Sequence, residues 1–458
     1  MRKRNLFLSF IFVFLTAFCL TCGICAAGDT EYIVRLNDDF NLFQATDDKE
    51  IFVVNEETLD YLLNGGFVEW YEEDYEVFLM GTEEEYDDTL YSAKWDLEMI
   101  NAQYAWDIAC YGAGVKIGVI DSGVSYHEDL NDNVLAGFNY ITDTEDVTDN
   151  IGHGTFVSGM IAAELNGIGV IGAAPRSNII PLKCFDNGEK TTVSMICRAI
   201  YDAVDVYDCD IINMSLGVGS YSETFEKAIN YAADKGVIIV GSVGNYGGTA
   251  LYYPAAFEKV IGVGSVDDDM NLSSFSQKNE SVFVVAPGRS VISTDNAGGY
   301  SSNSGTSFSA PLVSGIVATL ISAKEDITLD EVKTILLETA TDLGDKGYDT
   351  LYGYGLVDSI KCFERLLKDT QYFVAPLQMG DELKITVLNN TQTDFCGYLV
   401  VCSYVGKRMD NFDVVEISVK SKDKRELYSA VKGDYVKCFV WRSFGDISTI
   451  SNIRERRG

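Results

Sequence analysis

Histidine is almost missing from this chain: 458 residues carry only His127 and His153. Any reaction that needs an imidazole base therefore has two candidates. Basic residues are scarce too, 35 against 69 acidic, for a formal charge of −34. That balance excludes nucleic-acid binding, because neutralising phosphates takes clustered Lys and Arg. Eleven cysteines are present, but beyond residue 27 none stands in a CxxC pair or at zinc-ligand spacing, which excludes a zinc ribbon. There is no internal repeat, and after the N-terminal stretch no apolar run is long enough to span a membrane.

What is present begins with MRKRNLFLSFIFVFLTAFCLTCGICAAG: a basic cap at Arg2, Lys3 and Arg4, an apolar run, then small residues at Ala26 and Ala27. Residues 1–27 read as a secretory signal peptide, with an uncleaved anchor as the alternative. Secretion, with or without attachment to a surface, is the expectation. Cys19, Cys22 and Cys25 would leave with the signal. Cys110, Cys184, Cys197, Cys209, Cys362, Cys396, Cys402 and Cys438 would remain, as disulfides or as buried thiols. Acidity is unevenly spread: +3 in residues 1–27, −18 in 28–90 and −19 over the rest.

Length alone calls for more than one unit. Residues 28–80 hold three strand-like runs, EYIVRL, EIFVV and VEWYEEDYEVFLM, with a helix-like ETLDYLLNGG between them, a small α+β unit. Residues 81–92 are a charge run that reads as an exposed acidic linker. From 93 to 368, apolar strands such as VKIGVI, DIINMSL and GVIIVGS alternate with helical stretches. This pattern gives an α/β class with a mostly parallel sheet, helices on both faces, and a site at the carboxyl ends of the strands. Residues 369–458 return to β-rich runs separated by turns, a β-sandwich-like module.

His153 lies in NIGHGTFVSGMIAAEL, between glycines and at the start of an amphipathic helix. His127 in SYHEDL lacks such framing and reads as structural. Asp121 ends VKIGVI at the carboxyl edge of the sheet, where a carboxylate can fix a histidine tautomer. In SNSGTSFSAP (302–311), Pro311 is expected within the first turn of the following helix. Ser307 then sits at a helix N-terminus that favours developing negative charge. Ser302 and Ser304 read as loop residues, and Ser309 as packing or capping.

The order Asp, His, Ser excludes an α/β-hydrolase, and GTSFS is not a GxSxG elbow. VIDSGV, GHGTFVSGMIAA and SGTSFSAPLVSG together resemble the three active-site motifs of subtilisin-like serine proteases (subtilases), over roughly residues 93–365. The resemblance implies a secreted endopeptidase with Asp121 as orienting acid, His153 as base then acid, Ser307 as nucleophile and Asn245 as oxyanion donor. It implies a substrate-pairing segment at Ser215, Leu216 and Gly217, and a specificity pocket lined by GNYGGTALYYP, including Tyr246 and Tyr252. That segment has no acidic residue, so dibasic processing is disfavoured and cleavage after apolar or medium-sized residues is expected. Tyr252 either narrows the pocket or swings aside.

LNGIGVIG (165–172) resembles the loop that wraps a structural Ca²⁺ in many subtilases, implying Asn166, Ile168 and Val170 as ligands with Asp129. One more side-chain ligand is implied near the mature N-terminus. Residues 28–80 resemble an inhibitory prodomain, cut near Met80–Gly81 with Val77 in S4. Expected partners are protein or peptide substrates and the chain's own prodomain, around a monomer. The alternatives are a maturation protease for one exported peptide and a catalytically silent peptide-binding scaffold.

Overall fold

The structure is a computed structural model. It describes residues 31–36, 51–55, 58–59, 62–63, 65 and 68–73, and from 88 onward all but 107, 188–190, 369, 380–381, 406–407, 430–434, 444–445, 450–453 and 458. The signal peptide and the Val77 to Gly81 boundary fall outside these residues. The chain divides into two compact units, Met1–Glu85 and Tyr86–Gly458.

In the first unit, β1 (Glu31–Leu36) pairs antiparallel with both β2 (Ile51–Asn55) and β3 (Val68–Glu73). Thr58, Leu59, Leu62 and Leu63 are helical, within the stretch expected to be a helix.

The second unit opens with short helices α1 (Trp95–Met99) and α2 (Ala102–Ala105). Its central sheet is made of β4 (Lys116–Asp121), β5 (Phe138–Asn139), β6 (Asn178–Lys183), β7 (Ile211–Met214), β8 (Ile238–Ser242), β9 (Val260–Val266) and β10 (Val284–Pro287). They lie in the order β10-β9-β8-β7-β4-β6-β5, every pair parallel. Strands β7 to β10 are buried at every position, as expected where helices cover both faces. The strand order reverses beside β4, so the crevice at the carboxyl ends of β4 and β7 is the topological switch point.

Helices α3 (His153–Ala162) and α6 (Thr306–Ala323) pack on one face, α4 (Val193–Asp205) and α5 (Glu223–Asp234) on the other. The hairpin β11 (Val291–Thr294) and β12 (Tyr300–Asn303) leads into α6. Helices α7 (Leu329–Thr339) and α8 (Ser359–Leu366) complete the layer. Contrary to the expectation that no run beyond the N-terminal stretch is of spanning length, α6 is, alone among the described residues, long and apolar enough to cross a membrane, but 89% of that window is buried inside the protein.

Two further expectations change. Residues 88–92 are only partly the exposed linker expected: Thr89 and Ser92 are exposed, but Asp88 is buried and the Leu90 N–H donates to the Gly169 carbonyl at 2.7 Å. Pro311 is the sixth residue of α6, not part of its first turn. A proline there withholds the N–H that would bond the carbonyl four residues back, that of Ser307. The Ser215 hydroxyl donates to that carbonyl at 2.7 Å instead, and the helix continues.

Residues from 372 form two antiparallel sheets. One is β13 (Tyr372–Met379), β14 (Glu382–Asn389) and β17 (Asp423–Ser429). The other is β16 (Arg408–Val419), β15 (Phe395–Val405), β18 (Tyr435–Ser443) and β19 (Asp446–Thr449), with β20 (Arg454–Arg457) also on β18. Strand β13 serves two cores through the two-residue period of its side chains. Tyr372 and Val374 enter the sandwich interior, while Phe373, Ala375 and Leu377 enter the core of the catalytic layers. The Cys110 thiol also donates to the Pro376 carbonyl at 3.2 Å. The module is thus fastened on rather than tethered. Phe373→Ala is expected to cost ~3–5 kcal/mol, as for other fully buried aromatic truncations, measured as a lower urea midpoint; a change within ~0.5 kcal/mol would mean the seam carries no stability.

Candidate active site

Asp121 closes β4, and its buried carboxylate accepts from the Ser122 N–H at 2.7 Å. The buried Lys183 amine donates to the Ser122 and Thr148 carbonyls, both at 2.8 Å, which pins the strand end. The Ser122 hydroxyl in turn accepts from the Gly154 N–H at 2.8 Å, tying β4 to the start of α3. A side chain at position 154 would stand 2.2 Å from the Gly123 carbonyl oxygen, so only glycine lets the two elements approach. His153 therefore meets Asp121 with Nδ1 2.8 Å from Oδ1 and 2.9 Å from Oδ2. Its side chain stays 31% exposed, open to a substrate, while that of Asp121 is 5% exposed.

Asp149, not singled out from the sequence, holds the same corner. Its Oδ1 accepts from the Ile151 and Gly152 N–H groups at 2.9 and 2.8 Å. Its Oδ2 accepts from the Thr155 N–H and hydroxyl at 2.9 and 2.7 Å. A helix start with unsatisfied N–H groups favours such a carboxylate. The signal in the sequence was an acid four residues before a histidine at a helix entry.

Ser307 occupies the first turn of α6, where N–H groups lack intrahelical partners. Its Oγ lies 3.4 Å from the Ser215 carbonyl. The ring of the next residue, Phe308, packs against His153 with centroids 5.6 Å apart, and against Phe156 at 4.5 Å. Polar bonds lock α6 to the end of β7: Ser314 Oγ to Asn213 Oδ1 at 3.0 Å, and Asn213 Nδ2 to Ser215 Oγ at 3.2 Å.

Asn245 follows β8. Its Oδ1 accepts from both the N–H and the hydroxyl of Thr306 at 2.8 Å, which fixes the amide and leaves Nδ2 as the end free to donate. Such an arrangement can hold a developing oxyanion between Nδ2 and the Ser307 N–H. Thr306 is a second residue that sequence reasoning missed.

His127 is structural, as read: it is buried, with Nε2 2.8 Å from the Gly299 carbonyl and Nδ1 accepting from the Asp129 N–H at 3.1 Å. Cys184 follows β6 close to Asp121, and burial first, then that carboxylate, push its thiol well above the usual range. It is no rival nucleophile. None of the eight described cysteines is in a disulfide, and Cys396 alone among them is exposed.

A cleft of about 540 Å³ runs from Asp121 and His153 past Ser215, Leu216 and Gly217 to an apolar end at Val193, Ile196, Val218 and Phe225. Tyr246 and Tyr252 do not line this cleft; their rings stack with centroids 5.5 Å apart, and a Cβ on Gly217 would stand 3.4 Å from Tyr252 Cβ.

The calcium candidates also come together. The Val170 N–H donates to Asp129 Oδ2 at 2.9 Å, and Asn166 Oδ1 accepts from the Ile168 N–H at 3.1 Å. Asp88 joins them, its Oδ1 accepting from the Asn166 N–H at 3.3 Å. Its only sequence signal was an acidic pair placed in the linker.

A profile of the subtilase family matches residues 112–355. The chain belongs to the subtilase family. That membership places it among serine endopeptidases. It is 38% identical over 258 residues to the thermophilic serine proteinase of Bacillus sp. (strain AK1), covering 56% of this chain and 63% of that one. It is 33% identical over 339 residues to the M-protease of Shouchella clausii (strain KSM-K16), covering 71% of this chain and 85% of that one. Among solved structures, a protease of Pseudoalteromonas arctica PAMC 21717 superposes with a TM-score of 0.57 at 30% identity, covering 61% of this chain and 99% of that one. Asn245→Ala is expected to lower kcat ~10²–10³-fold with little change in KM, read from steady-state peptide hydrolysis. A kcat within threefold of wild type would remove Asn245 from the oxyanion site.

Proposed function

We propose that the chain is an exported subtilase made as a zymogen, which cuts protein substrates through Asp121, His153 and Ser307. The observation that carries this reading is the His153 Nδ1 contact with both oxygens of Asp121, 2.8 and 2.9 Å, opposite an Asn245 amide clamped beside Ser307. In the first half-reaction, Ser307 Oγ attacks the substrate carbonyl carbon and His153 takes its proton. Asp121 holds the imidazolium. The oxyanion sits between Asn245 Nδ2 and the Ser307 N–H. Collapse breaks the C–N bond, and His153 returns the proton to the leaving amine. Water then repeats the sequence on the acyl-enzyme and frees Ser307.

The basic cap and apolar run of residues 1–27 support export, and the separate unit ending at Glu85 supports a prodomain. Substrates and that prodomain would be the partners of a monomeric enzyme. Secreted wild type and Ser307→Ala, compared by N-terminal sequencing, test the reading. Processing near Gly81 in wild type alone is expected; equal processing of Ser307→Ala would refute self-maturation.

We also propose that Asp88, Asp129, Asn166 and the Ile168 and Val170 carbonyls hold a structural Ca²⁺. Burial pushes the Asp129 carboxyl up to about 7, against the pull of the Val170 N–H and the Tyr300 hydroxyl, and Asp88 and Glu164 push it further. Its buried Oδ1 has no hydrogen-bond partner. Oxygen donors and clustered negative charge of this kind suit a hard cation. When bound, the ion would rigidify the loop against residues 88–90 and take no part in the reaction. Chelation is expected to lower stability by ~3 kcal/mol if calcium had been at about 100-fold its Kd, and Asp129→Asn to abolish that dependence. A melting temperature indifferent to calcium would contradict the assignment.

A further inference from the structure

This inference rests on the endopeptidase reading and concerns what the enzyme accepts. An acyl carbon on Ser307, with its oxygen toward Asn245 and its backbone along Ser215 to Gly217, aims its side chain between the continuations of β7 and β8. One wall of that slot is Gly217 to Gly219, and the other is Gly244. In this chain the slot is filled by Tyr252. A Cβ built on Gly217 would be 3.4 Å from Tyr252 Cβ, one on Gly219 3.6 Å from Cε1, and one on Gly244 3.1 Å from Cδ2. Both walls therefore face the same side chain across little more than the space of one Cβ.

The chain around Tyr252 is pinned. Tyr253 and Val218 exchange two backbone hydrogen bonds of 2.9 Å, and the Tyr252 carbonyl accepts from the Ala256 N–H at 3.0 Å. The Tyr246 ring lies on it at an interplanar angle of 19°. Space is found instead in the 540 Å³ cleft, which Gly217 lines together with Val193, Ile196, Val218 and Phe225 but not Tyr252.

We propose that Tyr252, backed by Tyr246, closes the S1 pocket, so that the enzyme cleaves after glycine or alanine and selects substrates by a large apolar side chain in S4. A larger P1 residue must displace the Tyr252 ring from two glycine walls and from its stacking partner. The chain carries one sequence suited to both demands just before its second unit: Phe78-Leu79-Met80-Gly81. Phe in S4 and Gly in S1 put the maturation cut at Gly81–Thr82, one bond beyond the Met80–Gly81 position that the family resemblance implies.

The test uses secreted, matured enzyme, its active sites titrated with a fluorophosphonate, on quenched peptides containing Phe-Leu-Met-X with X as Gly, Ala, Met or Phe. Wild type is expected to favour Gly or Ala over Phe by at least ~100-fold in kcat/KM. Tyr252→Gly should raise the Phe-to-Gly ratio by a similar factor, and the surface variant Tyr246→Ala by a smaller one. The mature N-terminus should be Thr82. Titratable wild type that cuts after Met or Phe as fast as after Gly, or that begins at Gly81, overturns the closed pocket and leaves the endopeptidase reading standing. Failure to incorporate fluorophosphonate overturns that reading and this inference with it.

Discussion

Burial of helix α6 is the constraint on which the rest of the second unit depends. Sixteen of its residues are buried, and Ser307 and Ser322 are the two that are not. A helix apolar on every side has to lie in the core, and this one packs on α3 and on strands β7 to β10. The approach is close: a Cβ on Gly315 would stand 2.5 Å from that of Ala173. Ser307 is therefore positioned by the packing of the whole layer behind it, and at the helix start it is the residue left partly exposed. A side chain held this way needs no flexible loop to find its geometry.

The other groups come from ends of elements anchored to the same core. Asp121 ends β4, Ser215 follows β7, Asn245 follows β8 and His153 starts α3. Hydrogen bonds from Ser122, Asn213, Ser215 and Thr306 tie these ends to one another, so the site is a connected network rather than a set of loose side chains. The Ser215 hydroxyl shows how far this goes. It fills the hydrogen bond that Pro311 cannot make and thereby couples the end of β7 to the backbone of Ser307. The β-module adds to the same core through alternate residues of β13.

Much of this was legible in the residues themselves. Runs such as VIGVGSV became strands at the positions expected, because an unbroken apolar stretch that short is stable only inside a covered sheet. Asp121 and His153 were found from the scarcity of histidine and the order of the motifs, and the structure brings them into contact. What stayed hidden depends on neighbours far along the chain. Nothing near Pro311 reveals a hydroxyl 96 positions earlier that replaces its missing bond. Acid-rich residues 81–92 read as solvated by composition, yet Asp88 is buried against a loop about 80 residues away. The position of the Tyr252 side chain beside Gly217, Gly219 and Gly244 was likewise beyond the sequence, because it depends on residues from two separate strand ends.

The central claim is that His153, oriented by Asp121, makes Ser307 the nucleophile. Mass-spectrometric mapping of a fluorophosphonate adduct tests it most directly, in wild type and in His153→Ala. The account predicts phosphonylation of Ser307 in wild type and near-complete loss of the adduct in the variant. An adduct on Ser302, Ser304 or Ser309, or equal labelling of Ser307 without His153, would contradict it.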